Sequence, residues 1–225
     1  TNGHLLWRLN ENSNVISFGV VDYFLQPGHA YYEMKRCYAP VFASVALDDH
    51  AGIYLTNDTT RTIAGSVEVS LFHLVKNERT HQMELPFTIE PDATARLCTL
   101  DEWGQIRKEQ IVCVRVLDKR RTLLAETIQP LDIERRLPYP QQVGLSMIAS
   151  ADTDTLLLRC EHYARCVSLH GDGFDYLFDD NFFDLLPGET KCIRVLPSPS
   201  SGVIYAETAY DQTIVSCQWK KEKEK

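Results

Sequence analysis

One short segment carries several side chains that could bind a metal ion. Within CEHYARCVSLH, at residues 160–170, Cys160, His162, Cys166 and His170 are all potential zinc ligands. The segment contains no C-x-x-C pair, and its flanks predict two strands joined by a turn, which would not bring the four donors together. We therefore predict core cysteines and surface histidines here, and no metal.

An acidic cluster invites a second hypothesis, calcium binding. Asp179, Asp180, Asn181 and Asp184 offer the oxygen ligands that calcium prefers. The run lacks the D-x-[DN]-x-[DN]-G spacing of a calcium loop, and two phenylalanines interrupt it. We predict a loop and a strand edge at this position, and no cofactor.

The sequence shows no set of catalytic residues. It has no G-x-S-x-G motif, no glycine-rich phosphate loop and no cysteine followed by a suitable histidine and asparagine. A glycosidase would need two carboxylates in a cleft, and no pair among the many acidic residues stands out. We do not expect this chain to be a complete enzyme.

Trp7 and Asn10 form the candidate substrate-binding site. If Trp7 ended a barrel strand, its ring would face the barrel mouth and could stack on a sugar, while Asn10 could hydrogen-bond a hydroxyl. The alternative is that Trp7 belongs to an ordinary barrel core, and sequence physics alone favours that alternative.

Composition limits the classes of partner. The chain has 225 residues, is 44% hydrophobic and carries a net charge of -8. It can bury a real core, lacks the basic surplus of a nucleic-acid-binding protein, and has no apolar run of the roughly 18 residues that a membrane span needs. Seven cysteines, an odd number, favour buried thiols over a disulfide framework, and so a cytoplasmic location.

Alternating apolar residues predict a mainly β fold in two series of strands. The first series covers 41–47, 52–56, 66–74, 83–89, 111–117 and 122–128. A proline-containing, charged linker at 132–142 precedes the second series, which covers 145–149, 155–159, 165–169, 190–196, 202–208 and 213–219. We predict two immunoglobulin-like sandwiches, at 41–135 and 136–225.

A weak internal repeat supports two equivalent units. Residues 89–97 match residues 185–193, and in each copy an apolar residue enters a turn at Pro91 or Pro187 and a strand leaves it. This pattern predicts a tight corner between two strands. The spacing of the two prolines is close to the roughly 100 residues of an immunoglobulin-like sandwich.

Residues 1–40 differ from the rest of the chain. Residues 4–9 and 15–24 are apolar enough to form strands or buried loop, and a helix is predicted to begin at Gln26–Pro27 and to end at Pro40. Helical spacing places Tyr31, Met34, Lys35 and Tyr38 on one face. One strand and one helix cannot bury both their faces, so we expect the end of a (βα)8 barrel whose other elements lie upstream of Thr1.

Two motifs, one near each end of the chain, resemble those of one enzyme family. The first is WRLNE at 7–11, followed by VVDY at 20–23, Pro27, AYY at 30–32, KR at 35–36 and AP at 39–40. The second is DNFFDLLPGE at 180–189. Together they are similar to the end of the barrel and to the final sandwich of β-mannosidases of glycoside hydrolase family 2.

The resemblance implies a function for a longer parent. Such enzymes remove terminal β-mannosyl residues with retention, using two glutamates on earlier barrel strands, which this chain would lack. The chain would then be a non-catalytic C-terminal portion that braces the barrel, with the barrel and a β-mannoside or related sugar as its partners, and would hydrolyse no aryl glycoside by itself.

Departures from the family pattern leave other substrates open. Ser13 and Asn14 replace a Trp-Pro pair, and Arg8 replaces the usual glutamine. Loss of an aromatic residue beside the pocket would remove a stacking surface. The alternative functions are a stand-alone carbohydrate-binding module, with Tyr205, Tyr210 and Trp219 as candidate aromatics, and a protein-interaction module.

Overall fold

Fifteen antiparallel strands, one α-helix and two short 3-10 helices make up the regular structure of the described residues. The computed structural model describes residues 5–14, 18–47, 51–103, 109–150, 154–173, 176–196 and 201–220. Residues 36–139 form one compact unit, and residues 1–35 with 140–225 form the other. No described helix is long and apolar enough to cross a membrane.

The unit of residues 36–139 is a sandwich of a three-stranded and a four-stranded sheet, ordered β1-β2-β5 and β4-β3-β6-β7. Its strands are β1 Val41–Ala46, β2 Gly52–Asn57, β3 Ile63–His73, β4 Glu78–Ile89, β5 Ala93–Thr99, β6 Gln110–Asp118 and β7 Leu123–Pro130. Val67, Val69 and Leu71 alternate along β3 and lie in the core of this sandwich.

Residues 140–225 form a second sandwich with two four-stranded sheets, ordered β12-β10-β14-β15 and β11-β13-β9-β8. Its strands are β8 Ser146–Ser150, β9 Thr155–Arg159, β10 Ala164–Gly171, β11 Leu177–Phe178, β12 Phe183–Leu185, β13 Lys191–Leu196, β14 Ser201–Glu207 and β15 Val215–Lys220. The mainly β, immunoglobulin-like prediction is confirmed. Strands β11 and β12 were not predicted, because two or three residues are too few to show an alternation.

A turn carries the chain between the two sheets at each repeated proline. The turn at Pro91 joins β4 to β5, and the turn at Pro187 joins β12 to β13. The residue after each proline, Asp92 or Gly188, has a positive φ of 51° or 78°. Proline followed by a left-handed residue is the signature of a type II turn, so the predicted corners are confirmed.

The segment before the first sandwich differs from its prediction. Helix α1 spans His29–Cys37, but it buries Tyr32 rather than the predicted face, and Tyr38 is exposed. In place of the predicted strands or buried loop, the described part of residues 5–28 has isolated bridges from Val21 to Asn10 and to Pro27, and several of its apolar side chains are exposed. These residues do not form strands, because each bridge is a single residue pair and no neighbouring strand extends it into a ladder. The assignment of residues 1–40 to a barrel, and the boundaries 41–135 and 136–225, stay predictions.

Candidate functional site

The segment around Trp7 and Asn10 is folded back on residues 19–21. Asn10 and Val21 form a parallel bridge, in which the Val21 amide donates to the Leu9 carbonyl at 2.9 Å and the Glu11 amide donates to the Val21 carbonyl at 3.2 Å. The Val20 amide also donates to the Arg8 carbonyl at 3.3 Å. These bonds give a segment without sheet neighbours a defined backbone path.

A buried carboxylate reinforces this pairing. Glu11 is only 6% exposed, and its Oε1 accepts a hydrogen bond from the Gly19 amide at 2.6 Å, while its Oε2 pairs with the Arg8 guanidinium. A Cβ on residue 19 would lie 2.5 Å from that Oε1, so a side chain there would displace the Glu11 carboxylate. We call Arg8, Glu11 and Gly19 the Glu11 clasp. Sequence analysis includes Glu11 in the first family-like motif but assigns it no role, since a lone acidic residue gives no signal of burial.

Trp7 and Asn10 lie on the surface of this segment. Trp7 is 85% exposed, and Asn10 is also exposed. Several apolar neighbours are exposed as well, namely Leu5, Leu6, Leu9, Phe18 and Leu25. The role of Trp7 and Asn10 in binding a sugar stays a prediction.

The four candidate zinc ligands of residues 160–170 lie in different environments. The Cys160 thiol donates to the Leu185 carbonyl at 3.4 Å, and burial raises its pKa to about 12. His170 stacks on Tyr205 with ring centroids 5.3 Å apart, and His162 is exposed. Among the residues that the structure describes, no three His, Cys, Asp or Glu side chains are grouped as a metal site requires.

The acidic cluster forms the connection between β11 and β12, which we call the β11–β12 corner (residues 179–184). The side-chain amide of Asn181 binds the backbone of Leu169 on β10. Its Oδ1 accepts from the Leu169 amide at 2.7 Å, and its Nδ2 donates to the Leu169 carbonyl at 2.9 Å. Asp179 accepts two bonds from Arg194, and Asp180 pairs with Lys191 at 3.1 Å. The cluster therefore closes the corner instead of presenting ligands.

Asp184 completes the β11–β12 corner. Its Oδ2 accepts from the Tyr163 hydroxyl at 2.6 Å and from Arg165 at 2.7 Å, and its Oδ1 accepts from the Cys166 amide at 2.9 Å. Burial raises the pKa of this carboxyl, and the three donors oppose that shift. Asp184, on β12, is thereby hydrogen-bonded to β10 and to the residue that precedes it, which stabilises the pairing of these two strands.

Helix α1 packs on this same corner. The Tyr32 hydroxyl donates to the Phe178 carbonyl at 3.1 Å, and Lys35 donates to the Asp179 carbonyl. The His29 ring stacks on Phe182 at 5.2 Å between centroids. The two family-like motifs at opposite ends of the chain are thus in contact, which sequence analysis did not predict.

The aromatic residues proposed for a carbohydrate-binding module are only partly accessible. Trp219 is 2% exposed and lies in the core of the second sandwich, so it cannot offer a stacking surface. Tyr205 is half-buried and has one ring face against His170. These positions weaken the carbohydrate-binding-module alternative.

Two family descriptions match the two sandwiches. Residues 49–129 match the "Mannosidase Ig/CBM-like domain" family, and residues 139–208 match the "Ig-fold domain" family of mannosidases. The first match lies within the unit of residues 36–139, and the second lies within the other unit except for its first residue, Tyr139.

The curated relatives are β-mannosidases. The chain is 46% identical to beta-mannosidase B of Aspergillus niger over 213 residues and 36% identical to that of Neosartorya fischeri over 224 residues. Each alignment covers 86% of this chain and 25% of the relative. The chain therefore spans about a quarter of the length of the relatives it matches.

Solved structures share the fold. A β-D-mannosidase from Dictyoglomus thermophilum superposes with a TM-score of 0.77 at 20% identity, over 96% of this chain and 27% of that one. An exo-chitosanase from Amycolatopsis orientalis gives 0.71 at 14% identity, over 94% and 30%. Together with the domain matches and the curated relatives, this identifies the chain as the C-terminal region of a β-mannosidase-like protein of glycoside hydrolase family 2.

Proposed function

We propose that this chain is the non-catalytic portion of a β-mannosidase-like retaining glycoside hydrolase, and that its last sandwich braces the catalytic barrel. The observation that carries this proposal is the packing of α1 on the β11–β12 corner through His29, Tyr32 and Lys35. A barrel that ends in α1 would be held to the sandwich by these contacts.

The corner is suited to this role because it is rigid. Asn181 and Asp184 are both buried, and each makes three hydrogen bonds to its surroundings. Fully satisfied buried polar groups hold a single conformation. Helix α1 therefore packs against a surface of fixed shape.

Trp7 and Asn10 would contribute to the sugar pocket of the complete protein. Exposed Trp7 offers a stacking face, and the Asn10 amide offers hydrogen bonds to a hydroxyl. The substrate class is a terminal β-mannoside, and the two catalytic glutamates belong to a part of the protein outside this chain.

The experiment compares this chain with the complete protein on p-nitrophenyl β-D-mannopyranoside. We expect turnover by the complete protein and none by the 225-residue chain. In the complete protein, Tyr32→Ala should shorten the half-life of the activity at elevated temperature at least tenfold, with kcat at 25 °C near wild type, because the brace would be loosened.

Tyr38→Ala is the matched control, because Tyr38 directly follows α1 and is exposed. It should leave the half-life unchanged. Equal half-lives for the Tyr32 variant and wild type would contradict bracing. Turnover that follows the 225-residue chain through purification would contradict its non-catalytic assignment.

A further inference from the structure

We propose that Asn57-Asp58-Thr59 is a masked N-glycosylation site: Asn57 can accept a sugar only before the first sandwich closes, and a sugar there would keep the sandwich open. These residues are the one Asn-x-Ser/Thr sequence in the chain, and that pattern is the acceptor sequence for N-linked sugars. The inference does not depend on the proposed function, because it concerns the unit of residues 36–139 alone.

The side-chain amide of Asn57 is enclosed in this sandwich. Asn57 ends β2 and is 0% exposed. Its Nδ2 donates to three backbone carbonyls, those of Arg61 at 2.9 Å, Glu90 at 3.0 Å and Ile89 at 3.3 Å. The two hydrogens of this nitrogen are therefore shared among three acceptors inside the protein.

The rest of the acceptor sequence is also engaged. The Asn57 Oδ1 accepts from the Thr59 amide at 3.0 Å and from the Thr59 hydroxyl at 2.7 Å. The same hydroxyl lies 2.9 Å from the Arg61 carbonyl. These bonds form an Asx turn, in which the side chain closes the loop after β2. The hydroxyl that defines the acceptor sequence is thus bonded to the protein's own atoms.

Sugar transfer and these bonds exclude each other. In N-glycosylation, the asparagine Nδ2 attacks C1 of a sugar that is activated as a nucleotide diphosphate or lipid diphosphate. A bond forms between C1 and Nδ2, the bond from C1 to the diphosphate oxygen breaks, the diphosphate leaves with the electron pair, and Nδ2 gives up one proton. The product keeps one N–H where the fold uses two, and its sugar would need space at a position that is 0% exposed.

The Asn57 amide also links the two sheets of the sandwich. Asn57 lies in the sheet β1-β2-β5, whereas Ile89 ends β4 of the opposite sheet and Glu90 enters the turn at Pro91. Buried carbonyls that lose their donor pay the full cost of desolvation, which exceeds the net value of a hydrogen bond. A sugar on Asn57 would therefore hold the two sheets apart at this corner.

The first test uses a soluble N-glycosyltransferase with UDP-glucose and follows the mass of one added hexose. We expect the enzyme to modify a synthetic peptide of residues 51–65, and to modify Asn57 of the folded 225-residue chain at least roughly 50-fold more slowly. An unmodified peptide would overturn the inference, since the sequence would not be an acceptor. Modification of the folded chain at the rate of the peptide would overturn it too, because Asn57 would not be masked.

Asp92→Asn supplies a matched control in the same corner. It creates a second acceptor sequence, residues 92–94, at an exposed position. Asp92 has a positive φ of 51°, a conformation that asparagine adopts readily. The enzyme should modify residue 92 and leave Asn57 unmodified in the same folded chain. Equal protection of both positions would mean that the burial of Asn57 is not the cause, which overturns the inference.

Asn57→Asp tests the link between the sheets, because it keeps the shape of the side chain and removes both N–H donors. Hydrogen exchange in β2 and β5 should become at least roughly tenfold faster, while β9 and β13 of the second sandwich stay at the wild-type rate. The Asp92→Asn chain should exchange as wild type throughout. Wild-type exchange in Asn57→Asp would show that this amide does not hold the sheets together, and the inference would fail.

Discussion

The two sandwiches share a fold and a proline turn but close their surfaces differently. In residues 36–139, strands β3 and β4 have 11 and 12 residues and pair along their length. Charged side chains cover their outer face, where Arg121 pairs with Glu68 and Glu84. In the second sandwich, β12 has only three residues, and α1 covers the corner that precedes it.

The two units therefore obtain their stability in different ways. Strand β3 pairs along its length with β4 on one side and β6 on the other, so its backbone groups are satisfied within the first sandwich. The second sandwich closes its corner with buried side chains and with a helix from residues 29–37. It should therefore depend on the start of the chain, and the first sandwich should not.

Tyr32→Ala should give the largest effect on this comparison. Tyr32 is 2% exposed, and truncating a buried aromatic residue costs about 3–5 kcal/mol. Hydrogen exchange of the 225-residue chain, followed peptide by peptide, should show faster exchange in residues 140–220 and unchanged exchange in β3 and β4. Equally faster hydrogen exchange in both units would contradict the claim that only the second sandwich depends on α1.

Asp184→Ala should follow, with a loss of about 3 kcal/mol in the unfolding free energy, since it leaves Arg165 and the Cys166 amide without their buried acceptor. Urea unfolding monitored by circular dichroism measures this. Asp184→Asn is the control, because it keeps an oxygen acceptor and should lose less. An alanine variant as stable as wild type would show that the corner is not held by this carboxylate.

Alkaline pH should weaken the second sandwich selectively. Burial raises the pKa of Tyr32 from 10.0 to about 12 and that of Cys160 from 9.0 to about 12. A raised folded-state pKa gives stability that is complete below the unfolded value and is lost as the pH rises towards the folded value. The unfolding free energy should therefore fall between about pH 9 and pH 12.

Two variants separate the contributions to this pH dependence. Cys160→Ala should remove the part that begins near pH 9, and Tyr32→Phe the part that begins near pH 10, as seen in urea midpoints measured at intervals from pH 8 to pH 11.5. A pH dependence that persists unchanged in the double variant would assign the effect to other groups.

Glu126→Ala, in the first sandwich, should give the smallest effect. Glu126 pairs with Arg115 at 2.6 Å across β6 and β7, but both side chains are partly exposed. A solvent-accessible ion pair contributes about 0.2–1 kcal/mol, and salt screens it. We expect a small shift of the urea midpoint that vanishes at 1 M NaCl. A loss of unfolding free energy as large as that of Asp184→Ala would contradict the expected difference between the exposed ion pair and the buried carboxyl of Asp184.

Strands and corners could be predicted from the sequence, but most interactions of the candidate site could not. The alternation that marks β3 and the turns at Pro91 and Pro187 are local, because they depend on residues adjacent in the chain. No pattern of adjacent residues predicts that Trp219 and Glu11 are buried. An isolated tryptophan or glutamate looks the same in sequence whether it is buried or exposed.

The β class, the two strand series, their proline corners and the motifs that resemble β-mannosidases are all legible in the amino-acid sequence. The buried face of α1 and the role of the acidic cluster became clear from the folded structure alone. The reason is the separation along the chain: Tyr32 bonds to Phe178, 146 residues away, and helical periodicity cannot name a partner that distant.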